Sequence, residues 1–334
     1  MSHDSRVSAH PGNHAIGLDI GGTNIRGAVV ADDGTILAEA SERTPETSDG
    51  TTMTKILLGI TQQLHSAHPE VSAIGVGAAG IVEWPAGLIR WAPNNSYRDW
   101  RVRDELEEST GLPATVDNDA NVAALAEARL GTDRLREMVF LTVGTGVGGG
   151  LVLGGVIYRG PTGRGGELGH IVVAPDGPVC GCGNRGCLEA VASGTALTRM
   201  AREAAAADPG GTIARIARDE QDGHVTGQTV TRATELGDPT ALGLFDTLGR
   251  WLGIGIASLA NMLEIEAVVI GGGLVTTGDL LLDPARTAYL QHTYAREARP
   301  VVEVRPGTFG TDAGVVGAAL LGLEHAHDGE VHAR

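Results

Sequence analysis

Residues 141–160 read LTVGTGVGGGLVLGGVIYRG, and residues 165–189 read GGELGHIVVAPDGPVCGCGNRGCLE. Glycines this dense at the end of a strand allow backbone N–H groups to close on phosphate oxygens, because no Cβ stands in the way. The second segment carries an imidazole and all three thiols of the chain, at His170, Cys180, Cys182 and Cys187. One imidazole and three thiolates are a usual ligand set for tetrahedral zinc. The stretch therefore predicts a phosphate-binding turn joined to a metal site.

The cysteine motif favours metal binding over a disulfide. It begins ten residues after His170, and glycines between its cysteines permit a tight loop. Four protein ligands close the site, so zinc there would be structural. The alternative is three buried thiols that only pack. Because a metal at one imidazole nitrogen leaves the other free, we expect the metal to fix His170, Glu167 and Glu189 towards a polar ligand.

Composition limits the possible functions. The 334 residues suffice for two domains of ordinary size. The net charge of −16 argues against nucleic acid as the main partner, because neutralising phosphates requires a basic surface. Lys55 is the only lysine, which excludes the phosphate-binding schemes of P-loop enzymes and protein kinases, since both need a lysine on the phosphates.

Compartment and membrane association follow from the apolar pattern and the cysteines. Residues 1–14 are polar, and no apolar core follows a charged start, so we expect a flexible tail and no signal peptide. The longest apolar region, Leu252–Val275, is interrupted by polar residues, so no membrane span is expected. Clustered cysteines suit a metal in a reducing compartment, which favours the cytoplasm.

Alternating strand and helix patterns predict an α/β fold. Strands are expected at residues 15–20, 23–31, 35–40, 71–82, 114–116, 139–143, 151–158, 267–270 and 301–305. Helices are expected at residues 53–67, 102–110, 120–130, 190–218, 238–263 and 313–325. Residues 85–100 are predicted to be an irregular loop and residues 218–230 a polar stretch. DIGGTNIRGAVV (19–30) matches TVGTGVGGGLVL (142–153), which indicates a weak internal duplication.

The glycine turns predict nucleotide binding by strand-turn-strand hairpins instead of by a turn that opens a helix. Gly144-x-Gly146-x-x-Gly149 formally matches the dinucleotide fingerprint, but a strand pattern follows it where that motif opens a helix. The alternative is a glycine-rich hairpin without a ligand. Paired with Gly21–Thr23, the two hairpins would bind the β- and γ-phosphates, with Gly271–Gly273 on the nucleoside side. Asp19 would hold Mg²⁺ through water, or is an ordinary turn aspartate.

Asn118 and Asp119 precede a predicted helix and have two possible roles. Both residue types are preferred N-caps, which alone would explain them. A carboxylate there is also expected to stay ionised, because the helix dipole favours the charged form. Such a group can accept a proton from an alcohol that attacks phosphorus.

These motifs resemble the ROK family of sugar kinases and repressors, and within it the bacterial glucokinases. Glu167–His170 and CGCGNRGCLE are similar to the family's ExGH and CxCGxxGCxE motifs, a highly specific pair. The family's two phosphate motifs resemble DIGGTN and LTVGTGVGGG. Similarity extends from about residue 15 to 322 through GAAG (77–80), APN (92–94), DNDAN (117–121), ASGTAL (192–197), VIGGG (269–273) and DAGVVGAA (312–319).

The resemblance implies an actin-like ATPase fold, with two ribonuclease H-like domains and a cleft between them. It implies a small domain at residues 15–122 plus about 313–326, and a large domain at residues 123–312 that carries the zinc loop. Asp119 would be the catalytic base for the sugar 6-hydroxyl. The implied sugar-binding residues are Gly80, Asn94, Asn118, Asp119, Glu167, His170 and Glu189. The implied ATP-binding residues are Gly22, Thr23, Asn24, Thr145, Gly146, Gly271, Gly272 and Gly273.

The resemblance also implies cofactors, with Mg²⁺ near Asp19 and zinc on the ligands His170, Cys180, Cys182 and Cys187. Many family members have lysine where Asn24 stands. A positive charge at that place must therefore come from Arg26 or from the metal ion. A tryptophan usually follows the proline-asparagine pair closely. Here the nearest aromatics are Tyr97 and Trp100, which leaves Asn95 as an alternative to Asn94.

The implied function is ATP-dependent phosphorylation of the glucose 6-hydroxyl. Kinases for mannose, N-acetylglucosamine, N-acetylmannosamine or fructose share every motif above. A sugar-responsive repressor would need a helix-turn-helix module, and only about 14 residues precede Ala15. The expected partners are a hexose and ATP, without nucleic acid or membrane, and the family tends to form dimers and tetramers.

Overall fold

Residues 13–45, 49–92 and 97–332 are described in a computed structural model of the chain, with side chains to residue 326. The strands are β1 (His14–Ile20), β2 (Asn24–Ala31), β3 (Ile36–Arg43), β4 (Ala73–Ala78), β5 (Ile81–Glu83), β6 (Leu88–Trp91), β7 (Arg98–Trp100), β8 (Ala114–Asn118), β9 (Met138–Val143), β10 (Val147–Leu153), β11 (Val156–Ile157), β12 (Ala267–Gly271) and β13 (Glu303–Pro306). The helices are α1 (Gly50–Ala67), α2 (Val102–Thr110), α3 (Asp119–Leu130), α4 (Leu188–Ala192), α5 (Gly194–Ala207), α6 (Thr212–Glu220), α7 (Gly227–Glu235), α8 (Pro239–Leu263), α9 (Asp279–His292) and α10 (Ala313–His332).

The chain forms two compact units. Unit 1 comprises the described residues of Met1–Arg134, Ile157–Gly165 and Asp312–Arg334. Its central sheet has the order β3-β2-β1-β4-β8, in which β1 is antiparallel to β2 and parallel to β4, and β4 is parallel to β8. Helix α10 packs closely on β1 and β4, because Gly17 and Gly75 have no side chain there. A Cβ at either position would overlap a carbonyl oxygen of α10.

Unit 2 comprises Leu135–Val156 and Gly166–Thr311, and its sheet repeats the topology of unit 1. The order is β11-β10-β9-β12-β13, with β9 antiparallel to β10 and parallel to β12, and β12 parallel to β13. When the five strands of each sheet are numbered in chain order, both sheets have the spatial order 3-2-1-4-5. This repeated arrangement is that of the actin-like ATPase (ribonuclease H-like) fold, as predicted.

Each unit has its own apolar core. In unit 1 the helix α1 begins where Asp49 accepts a hydrogen bond from the Thr52 N–H, and buries Met53 and Leu57 against the sheet. In unit 2 the helix α8 begins with Asp238 as N-cap and Pro239 in its first turn, a favourable pair for a helix start. No helix in the described part of the chain is both long and apolar enough to cross a membrane.

Several predictions of local structure were wrong. Residues 85–100 are not one irregular loop, because β6 pairs with β5 and β7 pairs with β6 in a three-stranded sheet. The predicted strand at 71–82 is two strands, β4 and β5, and the returning strand begins at Val147. The polar stretch at 218–230 includes the start of α7, and α9 was not predicted.

The division into units differs from the boundaries expected from the resemblance. Helix α3 continues past residue 122 to Leu130, and it packs against α10, where Gly317 allows close approach to the carbonyl of Val122. Residues 123–134 therefore lie in unit 1. Residues 157–165 also belong to unit 1, although the chain before and after them forms unit 2.

Candidate active site

In unit 1 the candidate residues collect at the carboxyl ends of three adjacent parallel strands. The register aligns Asp19 of β1 with Gly77 of β4, and Gly77 with Asp117 of β8. Asn118 ends β8 and Asp119 begins α3. The topology therefore brings Asp19 and Asp119 to the same edge of the sheet, which is where ligands bind in open α/β sheets.

Asn118 and Asp119 have different structural roles. The Asn118 side chain is the N-cap of α3, accepting from the N–H groups of Ala120 and Asn121, and its Nδ2 donates to the carbonyl of Gly80 at 3.3 Å. Asp119 is the first residue of the helix, and its Oδ1 accepts from the Ala120 N–H at 2.9 Å. Capping thus explains Asn118 but leaves Asp119 available for chemistry.

The pKa of the Asp119 carboxyl is raised. Burial is the largest cause, and the N–H groups of Ala120 and Asp119 and the Asn118 side chain oppose it only in part. The sequence suggested that the helix position would favour the charged form, but it did not reveal this desolvation. A carboxylate whose pKa is raised is a stronger base than an exposed aspartate, so it accepts a proton more readily.

Asp19 lies close enough to Asp119 for the two charges to interact. Burial and the charge of Asp119 raise the pKa of Asp19 from 3.8 to about 7, and Arg26 opposes them. A divalent cation would relieve the repulsion between two neighbouring carboxylates, and hard oxygen donors suit Mg²⁺. The donors at this edge therefore fit the expected magnesium site.

The turn between β1 and β2 carries the predicted phosphate residues Gly22, Thr23 and Asn24, and all three are exposed. The Gly21 N–H bonds to the carbonyl of Asn24 at 3.1 Å across the turn. Thr44, just after β3, donates its N–H to the carbonyl of Thr23 at 2.9 Å and its hydroxyl to that of Gly21 at 2.8 Å.

The turn between β9 and β10 in unit 2 is supported in a similar way. The Gly144 N–H bonds to the Gly146 carbonyl at 3.0 Å, and the Gly194 N–H at the start of α5 donates to the Gly144 carbonyl at 2.7 Å. Thr195 donates both its N–H (3.2 Å) and its hydroxyl (2.8 Å) to the carbonyl of Thr145.

Gly271 is the last residue of β12, and Gly272 and Gly273 follow it beside this turn. Gly272 has a φ of 85°, and a Cβ there would lie 2.6 Å from the carbonyl oxygen of Val143. A Cβ at Gly144 would lie 3.9 Å from the Gly273 nitrogen. Unit 2 therefore brings together the predicted ATP residues of the 144–146 turn and the 271–273 segment.

The four predicted zinc ligands also come together in unit 2. Their ligand atoms lie within 4.8 Å of one another, in His170, Cys180, Cys182 and Cys187. The distance from Cys182 Sγ to Cys187 Sγ is 3.7 Å, as is that from Cys180 Sγ to His170 Nδ1. Two thiolates that each lie about 2.3 Å from a tetrahedral zinc ion are about 3.8 Å apart. The geometry is therefore compatible with zinc and excludes disulfide-bonded cysteines.

Glu189 lies between the cysteines and the glycine turn. Its carboxylate accepts from the Val147 N–H at 3.1 Å and lies 3.5 Å from Cys180 Sγ. Glu167 is exposed and immediately precedes the short 3₁₀ helix Leu168–His170. Asn94, predicted to bind sugar, falls within residues 93–96, outside the described residues.

Comparison with known proteins identifies the family. The sequence model of the ROK family matches residues 15–325. The chain belongs to the ROK family. It is 38% identical over 312 residues to the glucokinase of Streptomyces coelicolor, covering 92% of this chain and 97% of that protein.

Two solved structures extend the comparison. This ROK protein is similar to a ROK family glucokinase from Streptomyces griseus, solved in complex with glucose and AMPPNP, with a TM-score of 0.82 and 38% identity over 93% of this chain and 99% of that one. It is also similar to a ROK family transcriptional regulator homologous to the MLC protein of E. coli, with a TM-score of 0.83 and 26% identity over 96% of this chain and 79% of that one.

The structure of this ROK protein adds a buried ion pair beside the candidate base that the sequence did not single out. Arg159 Nε donates to Oδ2 of the buried Asp117 at 2.6 Å, and its guanidinium carbon lies 3.7 Å from the centroid of the Trp84 ring. Asp117 Oδ1 accepts from the Asn118 N–H at 2.7 Å and from Asn121 Nδ2 at 2.9 Å. The only sequence signal was the position of Asp117 in the DNDAN motif.

Proposed function

We propose that this ROK protein is an ATP-dependent glucokinase that transfers the γ-phosphoryl group to the 6-hydroxyl of glucose. The observation that carries the proposal is 38% identity, over 92–93% of the chain, to glucokinases, one of them solved with glucose and AMPPNP. The two glycine turns and the carboxylate pair are the groups that such a reaction requires.

Asp119 is the proposed catalytic base. Asn118 caps α3, so the Asp119 carboxylate can accept the proton of the 6-hydroxyl as that oxygen bonds to the γ-phosphorus. The bond between the γ-phosphorus and the bridging oxygen breaks, and ADP leaves with the electron pair. Bound Mg²⁺ would neutralise phosphate charge, and Asp19 would hold it through water.

The remaining site residues are proposed to bind the two substrates. Gly80, Asn94, Asn118, Glu167, His170 and Glu189 would contact the sugar hydroxyls. Gly22, Thr23, Asn24, Thr145, Gly146 and Gly271–Gly273 would contact ATP. Sugar recognition by many directional hydrogen bonds fits these residue types, because one unmatched polar group rejects a close analogue strongly.

Zinc is proposed to have a structural role. The three cysteines and His170 would complete its coordination, so no position remains for a substrate. Metal binding through His170 Nδ1, the nitrogen that faces Cys180, would leave Nε2 for a sugar hydroxyl. The metal would therefore orient His170.

The test is the rate of ADP formation with a panel of sugars. We expect kcat/KM to be highest for glucose among glucose, mannose, N-acetylglucosamine, N-acetylmannosamine and fructose, each compared with ATP alone. A kcat/KM at least tenfold higher for another member of the panel would replace glucose as the substrate. Light scattering of the same preparation would show whether the protein is the expected homodimer or homotetramer.

A further inference from the structure

We propose that Thr44 and Thr195 are positioning residues that orient the backbone N–H groups of the two glycine turns towards the phosphates of ATP. The inference rests on the proposed function and adds two residues to it. Each threonine lies outside its turn but donates two hydrogen bonds to carbonyl oxygens within it.

In unit 2 the relevant carbonyls belong to Gly144 and Thr145. The first accepts from the Gly194 N–H, and the second accepts from both the N–H and the hydroxyl of Thr195. In a trans peptide the C=O and N–H groups point in opposite directions. The only cis peptide bond among the described residues is Trp84–Pro85. The N–H groups of Thr145 and Gly146 therefore point away from the start of α5.

In unit 1 the same reasoning applies to the carbonyls of Gly21 and Thr23. Both are bonded by Thr44, one through its hydroxyl and the other through its N–H. The N–H groups of the following residues, Gly22 and Asn24, therefore point away from Thr44.

The same arrangement, a threonine that donates two hydrogen bonds to carbonyls of a glycine turn, occurs in both units. Thr44 follows the third strand of its sheet, whereas Thr195 belongs to a helix, so the repeated topology does not by itself produce the match. In each unit two N–H groups of the glycine turn therefore point away from the side of the turn on which its threonine lies. Backbone N–H groups presented by glycine-rich turns bind phosphate oxygens.

Substitution by valine removes the hydroxyl and keeps the shape and the backbone N–H, whereas serine keeps the hydroxyl. We expect Thr195→Val to raise the Kd for AMPPNP about threefold to tenfold, the usual effect of one lost hydrogen bond, and Thr195→Ser to stay within about twofold of the parent. Thr44→Val and Thr44→Ser should behave in the same way. The Kd for glucose should not change in any of the four variants.

Thr247→Val is the matched control, because the Thr247 hydroxyl also donates to a backbone carbonyl, that of Gly243 at 2.9 Å, within α8. Nucleotide affinity is measured by calorimetry without sugar, with the Tm of each variant as a check on folding. Valine variants that bind AMPPNP like the parent would overturn the inference. So would serine variants as weak as the valine variants, or parallel losses of glucose and AMPPNP affinity.

This test is separable from that of the proposed function. Nucleotide binding is measured without a sugar, so a different preferred hexose would leave its result intact. A parent protein that phosphorylates glucose, with valine variants of unchanged AMPPNP affinity, would contradict only the role of the threonines.

Discussion

Two adjacent residues, Asn118 and Asp119, differ in their structural setting, and only Asp119 is proposed to take part in the chemistry. Local sequence left capping and catalysis open for both, because Asn and Asp are equally good N-caps. The structure assigns the cap to Asn118, whose side chain accepts from two N–H groups of α3. Asp119 has a pKa raised by burial, a property that depends on the packing of the unit and cannot be read from the sequence.

The substitution Asp119→Asn tests the proposed base. The amide cannot accept the hydroxyl proton, so we expect kcat to fall at least about 100-fold, while the Kd for glucose stays within about tenfold of the parent. Steady-state kinetics and calorimetry measure the two quantities. Asp33→Asn, in the exposed turn before β3, is the control and should retain the parent kcat. Near-parent turnover of Asp119→Asn would remove Asp119 from the role of base.

The second residue-scale prediction concerns pH and Asp19. Because its pKa in the folded protein is about 7 rather than 3.8, the folded state binds this proton more tightly than the unfolded chain does. The resulting contribution to stability is complete below about pH 4 and is lost as the pH rises through 7. Asn does not titrate, so Asp19→Asn should become more stable than the parent as the pH rises.

The expected gain for Asp19→Asn is about 1 to 3 kcal/mol at pH 8, with no gain near pH 4. Denaturant unfolding in magnesium-free buffer at a series of pH values measures it. A difference in unfolding free energy that does not change with pH would show that Asp19 has an ordinary pKa.

At the scale of elements, the loop that carries the cysteines was predicted well, because its ligands are close in sequence and the chemistry of three thiols and an imidazole is distinctive. Its link to the 144–147 turn was not predicted. Glu189 contacts both Cys180 and the Val147 N–H, and this contact depends on how α4 packs beside β10.

We expect Cys182→Ser to reduce zinc content well below one ion per chain and to lower the Tm. Structural zinc contributes directly to folding, so the loss should amount to several kcal/mol. Metal analysis and thermal unfolding measure the two effects, and Val179→Ala, at an exposed position in the same loop, is the control. A fully active parent protein that contains no metal would refute the zinc assignment.

The Arg159–Asp117 pair gives a prediction for residues 157–165, which belong to unit 1. Arg159→Met leaves the buried Asp117 carboxylate without its cation, so we expect a loss of about 3 kcal/mol of unfolding free energy. Adding Asp117→Asn to that variant should recover at least about 1 kcal/mol, because the uncompensated charge is removed. Denaturant unfolding of the two single variants and the double variant tests this. Additive losses would show that the two side chains do not interact energetically.

The elements that sequence reasoning missed share a physical cause. The strands β6 and β7 have four and three residues, too few to display a period of two. Helix α9 contains Pro284, and α7 is largely polar and is stabilised by a capping box at Thr226 that reaches Thr229. In each case tertiary packing or a local cap decides the conformation, and the apolar pattern does not report it.

In the whole molecule, the weak internal duplication of the sequence corresponds to two sheets of the same strand order. Two short glycine hairpins predicted two related halves, and the two sheets do have the same strand order. The exact distribution of residues between the halves was not predictable, because residues 157–165 belong to unit 1 through contacts such as that of Arg159 with Asp117.

The proposed phosphoryl transfer is tested by identifying the products that the purified protein forms from ATP, Mg²⁺ and glucose, using ³¹P NMR. We expect ADP and glucose 6-phosphate in equal amounts, with no phosphate on any other hydroxyl. Inorganic phosphate in place of a sugar phosphate, or a phosphoryl group on a hydroxyl other than the sixth, would contradict the account.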